Sequence, residues 1–299
     1  MYPFKINDNL WILGNEYFHI YLIRGTKACA LVETGISATA EILLDQFSYL
    51  KVKPDFLIVT HPHSDHITGL DYLKESFPHA SLIAGKDAES FIAHPKSAQS
   101  LITEDLYMLE TLTSRGLCSS RKVISSPPSL TGCNVVNDEE ELKLGNLTIR
   151  FLEAKGHSPG NILVQIPDIS TALVSDSLGN HYSGRGFFPT FFTGYTDYIA
   201  TIDRLEKLNL KVLGLAHNGL FYSREEIKNI FQKAKQCAND VRDYIIENKK
   251  NDEDIAKDLF TFYYIDELTV YSPQNILSCC RLLVRRVREL NTNENPSKK

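Results

Sequence analysis

The segment Thr60-His61-Pro62-His63-Ser64-Asp65-His66 places four metal-ligating side chains (His61, His63, Asp65 and His66) directly after the run Phe56-Leu57-Ile58-Val59. That run is apolar and rich in β-branched residues, so it predicts a buried strand that delivers the chain to His61. Residues two apart in extended chain point the same way, and His61 and His63 can therefore share one cation as the strand ends. Asp65 and His66 fall at the start of a helix predicted over about 66–75, where adjacent side chains diverge by about 100° and can face a second ion. Such a chain must fold so that further ligands close around two neighbouring positions. Imidazole and carboxylate without thiolate suit zinc, iron or manganese, and a catalytic ion keeps one position for water.

Three further ligands stand in comparable contexts: His157 in Gly156-His157-Ser158-Pro159-Gly160, Asp176 in Ser175-Asp176-Ser177, and His217 in Ala216-His217-Asn218-Gly219. Each follows a predicted strand (147–153, 171–174 and 212–216). Other strands are expected at 10–13, 17–24, 28–32, 80–84, 141–144 and 161–166. Helical periodicity is read over 87–117 and 197–208, and 125–137 reads as loop from its Ser, Pro and Gly content. This order, hairpin-like strands and then strands interleaved with helices, suggests two sheets packed between helices. After Gly219 the texture becomes helical. Ser223 with Glu226 forms a capping box ahead of an apolar stripe through Ile227, Ile230, Phe231, Ala234, Val241, Tyr244 and Ile245. Ser272-Pro273 opens another helix, with Ser as cap and Pro in the first turn. The expected organisation is a catalytic unit over 1–220, a helical subdomain over 221–290 that covers the site, and a frayed tail over 291–299.

The order and context of His61-x-His63-x-Asp65-His66, His157, Asp176 and His217 resemble the metallo-β-lactamase superfamily over about residues 10–220. The resemblance implies an α/β fold, an αββα sandwich with the C-terminal helices appended. It also implies two divalent ions, one on His61, His63 and His157, the other on Asp65, His66 and His217, with Asp176 bridging. On that basis the expected activity is hydrolysis, with Asp65 as the candidate to orient a nucleophilic water or take its proton. Two positions depart from the family pattern: Glu33, in Leu31-Val32-Glu33-Thr34-Gly35, stands where Asp is usual, and Ser175 where Gly commonly precedes the bridging Asp. Glu33 can still accept from a ligating imidazole and fix its tautomer.

Glyoxalase II enzymes, thioesterases, lactonases, β-lactamases and RNase Z-like nucleases share this ligand set, so the rest of the sequence must choose. A formal net charge of -5 disfavours a nucleic-acid partner. The N-terminus shows no signal-peptide pattern and no apolar run reaches membrane-spanning length, so a cytoplasmic location without membrane contact is expected. The six cysteines, with no C-x-x-C pair, agree with a reducing compartment. The segments Leu31 to Ser37 and Ser175 to Gly179, with the helical C-terminus, are similar to PqsE-type thioesterases. That similarity implies a small-molecule ester or thioester substrate of acyl-CoA type and a roof of C-terminal helices. A lactonase or phosphodiesterase, and a regulatory protein acting through binding, stand as alternatives, and a homodimer is kept open. His19, His79 and His94 are read as core or surface residues and Arg281, Arg285, Arg286 and Arg288 as a solvated helix face. His181 and the aromatic cluster Phe187, Phe188, Phe191, Phe192, Tyr195 and Tyr198 are divided between core and substrate wall.

Overall fold

The computed structural model describes residues 2–119 and 122–293. One sheet contains, in spatial order, β1 (Phe4–Lys5), β2 (Leu10–Gly14), β3 (His19–Arg24), β4 (Cys29–Val32), β5 (Phe56–Val59), β6 (Ser81–Gly85) and β7 (Asn134–Val136). It is antiparallel up to β4 and parallel from there on. The second sheet begins with β8 (Glu141–Lys143), β9 (Thr148–Glu153), β10 (Ile162–Ile166) and β11 (Thr171–Leu173). Between β11 and the last two strands the chain forms a separate ribbon of β12 (Asn180–Tyr182) and β13 (Gly186–Phe188). The sheet is completed by β14 (Val212–Gly214), parallel to β11, and by β15 (Leu220–Tyr222).

The period-two alternation of the strands sets the layers. Tyr21, Ile23, Ile58 and Ile83 point between the sheets, where they meet Phe151, Ile162, Val164 and Leu173. The alternate residues Ile20, Leu22, Leu57 and Leu82 face outward onto Leu43 and Phe47 of α1 (Thr39–Leu50). Beyond the short α2 (Ser64–Ile67), Leu70 and Leu73 of α3 (Leu70–Ser76) join the same cluster. On the far side, Leu152, Leu163 and Ala172 pack into a third cluster with the later helices. Fully burying each such side chain contributes about 1.5–3 kcal/mol, which fixes the strand register on both faces. The result is an αββα sandwich.

The sequence reading contains no counterpart of α1, although Ala40, Leu43 and Phe47 recur at helical spacing. The helix read over 66–75 is divided into α2 and α3. At the division, Gly69 donates to the Gly35 carbonyl at 3.0 Å, and a Cβ there would meet the carbonyls of Thr34 and Ile36. The helical region 87–117 is likewise two helices, α4 (Ala88–Ala93) and α5 (Pro95–Ser114). His94 is extended because the following proline disfavours helical backbone. The loop expected over 125–137 ends in β7, which pairs with the edge of β6.

After α6 (Tyr195–Glu206) come α7 (Arg224–Glu247), α8 (Asp252–Tyr263) and α9 (Pro273–Asn293). Ile227, Phe231, Ala234, Val241 and Ile245 of α7 share one buried cluster with Ile276, Cys280, Leu283, Val284 and Val287 of α9. Tyr244, read as part of the first stripe, is instead exposed and donates to Asp258 at 2.7 Å. Ser223 caps α7, while the returning Glu226 carboxylate takes the N–H of Tyr222 at 2.7 Å. Arg281 and Arg288 tie α9 to α8 through Glu253 and Asp252, at 2.6 and 3.0 Å. Of the tail read over 291–299, α9 extends to Asn293 and residues 294–299 lie outside the described residues. Among the described residues no helix is long and apolar enough to cross a membrane, and the six cysteines are free.

Candidate metal centre

Five strand ends deliver the polar side chains to one rim of the sandwich. Glu33 follows β4, His61 follows β5, His157 follows β9, Asp176 follows β11 and His217 follows β14. His63 is the extended residue that caps α2, while Asp65 and His66 occupy its first turn. All seven residues proposed from the sequence converge there. His61, His63, His157 and Asp176 form one group, and Asp65, His66, Asp176 and His217 a second, with the ligand atoms of each group within 4.8 Å of one another. Asp176 belongs to both.

Hydrogen bonds to the outward ring nitrogens fix which nitrogen faces the centre. His157 Nδ1 donates to the Thr190 carbonyl at 2.9 Å and His217 Nδ1 to the Tyr17 carbonyl at 2.8 Å. The Thr60 hydroxyl donates to Glu33 Oε1 at 2.6 Å, so it accepts from His61 Nδ1 at 3.1 Å. Ser175 also donates to Glu33 Oε1, at 2.7 Å. Glu33 Oε2 lies 3.2 Å from His66 Nδ1. The departure from Asp to Glu at this position thus faces two imidazoles, one by charge without a hydrogen bond and one through hydroxyls. The second departure also has a physical reading. Ser175 has φ 45°, a backbone that glycine adopts without penalty and that costs an L-residue about 1 kcal/mol. Its hydroxyl hydrogen bond to Glu33 offsets that cost.

With their Nδ1 atoms committed as donors, the Nε2 atoms of neutral His61 and His157 present lone pairs to each other at 3.1 Å. His63 Nδ1 stands 3.1 Å from the same His61 nitrogen. In the second group, His66 Nε2 lies 3.2 Å from Asp65 Oδ2 and 3.4 Å from Asp176 Oδ2, and His217 Nε2 lies 3.2 Å from Asp65 Oδ2 and 3.3 Å from Asp176 Oδ1. Asp176 Oδ1 and His66 Nε2 are buried without a hydrogen-bond partner. Converging lone pairs and unpartnered buried acceptors are costly unless a cation lies between them, so the donor set fits metal ions.

The titration behaviour divides along the same lines. Burial, reinforced by the neighbouring imidazoles, pushes His61 well below the ordinary histidine range and His63 down to about 3. Burial also works against protonating His217, but Asp176 and Asp65 outweigh it and hold the ring up at about 10. His66 is raised in the same way by Asp65, Glu33 and Asp176. For the lowered group, the unfolded chain binds protons first as the pH drops below 6.5, so stability is lost in acid. For the raised group, the stabilisation is complete below 6.5 and is lost as the pH climbs towards about 10. Chelator-treated protein should therefore melt at its highest temperature near neutrality and lower at about pH 5 and pH 9, by amounts on the order of a few kcal/mol. A flat thermal-melt profile across that range would contradict this arrangement of charges.

The other histidines do not join the centre. His19 is buried, with Nε2 3.0 Å from the Tyr2 hydroxyl, and burial followed by the effect of His217 lowers it to about 4. His79 and His94 are exposed. His181 Nδ1 donates to the Asn218 carbonyl at 2.8 Å and its ring packs on Phe187 and Phe221. The aromatic cluster is divided: Phe187, Phe191 and Tyr198 are core, whereas Phe188 and Phe192 line a cavity of about 470 Å³ beside the centre. Arg286 also leaves its expected solvated face and donates to the Phe192 carbonyl at 2.7 Å at the cavity wall.

The sequence reading missed Tyr271, which precedes α9. Its hydroxyl donates to Asp65 Oδ2 at 2.8 Å. No local pattern marks it, because the contact joins residues 206 positions apart.

Residues 17–217 match the profile of the Metallo-beta-lactamase superfamily. Glyoxylase B2 of Dictyostelium discoideum is 24% identical over 164 residues, 51% of this chain and 49% of that protein. A hydroxyacylglutathione hydrolase of Aeromonas hydrophila is 37% identical over 90 residues, 29% of this chain and 31% of that protein. The chain thus spans about half or less of the length of these curated relatives. A metallo-beta-lactamase family protein of Thermus thermophilus superposes with a TM-score of 0.69 at 15% identity, over 97% of this chain and 95% of that one. The profile match, the shared αββα fold and a histidine and aspartate cluster able to hold metal ions lead to one conclusion: the chain belongs to the metallo-beta-lactamase superfamily.

Proposed function

We propose that the protein is a dinuclear metal-dependent hydrolase that cleaves a thioester of acyl-CoA type. His61, His63 and His157 would hold one ion and Asp65, His66 and His217 the other, with Asp176 shared; zinc or iron, or manganese, suits this donor set. When bound, two such cations supply Lewis acidity, lowering the pKa of a water and polarising the acyl carbonyl. The chain's own residues do the positioning. Glu33 and the carbonyls of Thr190 and Tyr17 fix the imidazoles, and Asp65, at the cavity wall, would orient a water and take its proton.

The observation that carries this reading is the sharing of Asp176 between two donor groups that open onto a single cavity. Phe91, Leu101, Phe188, Phe192, Ile276 and Leu282 supply apolar wall to that cavity, which suits an acyl or aryl group better than a charged phosphodiester. The Aeromonas relative is named for hydrolysis of an acylglutathione, itself a thioester. A panel of acyl-CoA thioesters, lactones and bis-aryl phosphates tests the choice. The thioesters are expected to give the highest kcat/KM, and a lactone or phosphodiester turned over faster would displace the proposal. A variant without hydrolysis that keeps the cellular phenotype would favour action through binding instead.

A further inference from the structure

The C-terminal helices contribute more than a wall. The turn Asp266–Val270 and the residues after it bring Tyr271 down onto the second donor group, where its hydroxyl lies 2.8 Å from Asp65 Oδ2 and 3.5 Å from His217 Nε2. Asp65 Oδ2 is also the oxygen nearest His66 and His217, at 3.2 Å from each, so the phenol touches the carboxylate oxygen that faces the candidate ion. The ring is 6% exposed.

Its position is fixed from the core side. Glu104 of α5, itself buried, accepts from both the hydroxyl and the N–H of Ser272, at 2.5 and 3.2 Å. Ser272 in turn caps α9 by accepting from Asn275 at 3.1 Å. The adjacent Asp105 is bonded to Ser37 and to Thr68 at the end of α2. One turn of α5 therefore holds the helix that carries Asp65 and His66 as well as the segment that carries Tyr271.

We propose that Tyr271 is a positioning residue for the second ion: its O–H orients Asp65 Oδ2, and through it the docking of the segment 266–276 is energetically linked to metal loading. The inference rests on the dinuclear reading. A hydrogen-bond partner of a ligating carboxylate commonly alters metal affinity by about 10–100-fold when removed. Linkage is reciprocal, so an ion that binds more tightly when the segment is docked must also hold the segment down.

The test is a zinc titration of chelator-treated protein by calorimetry, with amide hydrogen exchange followed in peptides covering 266–276. Wild type should take two zinc ions, with exchange in that segment slowing as the second binds. Y271F keeps the ring and its packing. It should bind the first zinc as wild type does, bind the second at least about tenfold more weakly, and lose most of the zinc-dependent slowing. E104Q leaves the phenol in place but weakens its anchor, and should lower second-site affinity by roughly threefold. A purely structural role for Tyr271 would leave the difference between the two sites unchanged. Equal second-site affinity in wild type and Y271F overturns the inference while leaving the dinuclear reading intact. A wild type that binds fewer than two ions overturns the dinuclear reading itself.

Discussion

Asp176→Ala is expected to lower kcat/KM for the best thioester by at least about 10³-fold, the loss of roughly 4 kcal/mol of transition-state stabilisation, and to reduce bound metal from two ions to one or none. The reason is its place in both donor groups. Burial alone would favour a neutral carboxyl, yet His217 and His66 hold Asp176 well below the ordinary carboxylate range, so it stands ionised among the imidazoles. Asp176→Asn preserves the shape and removes the charge. Equal losses in the two variants would assign the effect to charge and not to packing. His63→Ala should likewise abolish hydrolysis and deplete metal. Full activity retained in any of these variants, measured alongside metal content, defeats the ligand assignment.

The largest expected effect on stability is at Asp105, which touches no candidate ligand. Its carboxyl is wholly buried and makes contacts with the Ser37 N–H at 2.9 Å, the Ser37 hydroxyl at 2.5 Å and the Thr68 hydroxyl at 2.5 Å. Thr68 also lies 2.7 Å from the Ser64 carbonyl. Burial raises the Asp105 pKa against the pull of those hydrogen bonds. Asp105→Ala leaves several buried polar groups unpaired, at about 1–3 kcal/mol each and less than additively, for a total of roughly 3–5 kcal/mol. Asp105→Asn keeps part of the network and should cost about 1 kcal/mol. Thermal or denaturant unfolding of the two variants checks this. Because Thr68 ends the helix that carries Asp65 and His66, the alanine variant should also bind metal more weakly at temperatures where it remains folded. Similar stabilities for the two variants would contradict the expectation that an amide retains part of the network.

The candidate ligand set was legible because its members sit in short signatures that follow strands, where periodicity and β-branched content point to a buried element that stops at the rim. The residues that orient the ligands were less legible, since they act through contacts that sequence does not record. Glu33 was identifiable as a ligand partner, but its service to His61 runs through the Thr60 hydroxyl, which it meets across 27 positions. Tyr271, Glu104 and Asp105 carry no signal, because a tyrosine before a capping serine or an acidic pair inside a helix is ordinary in isolation. The divisions at Gly69 and at His94–Pro95 show the same limit. Proline marked the second locally, whereas the first depends on how closely the turn at 34–36 approaches.

The sequence by itself determined the kinds of donor, their order along the chain and the strands that carry them, because residue chemistry and period-two burial are local properties. Only the tertiary structure decided that each imidazole turns a particular nitrogen inward and that a phenol from the far end of the chain rests on Asp65. Those are relations between strand ends and helices brought together by packing two sheets face to face, and no local pattern encodes a distance across the core.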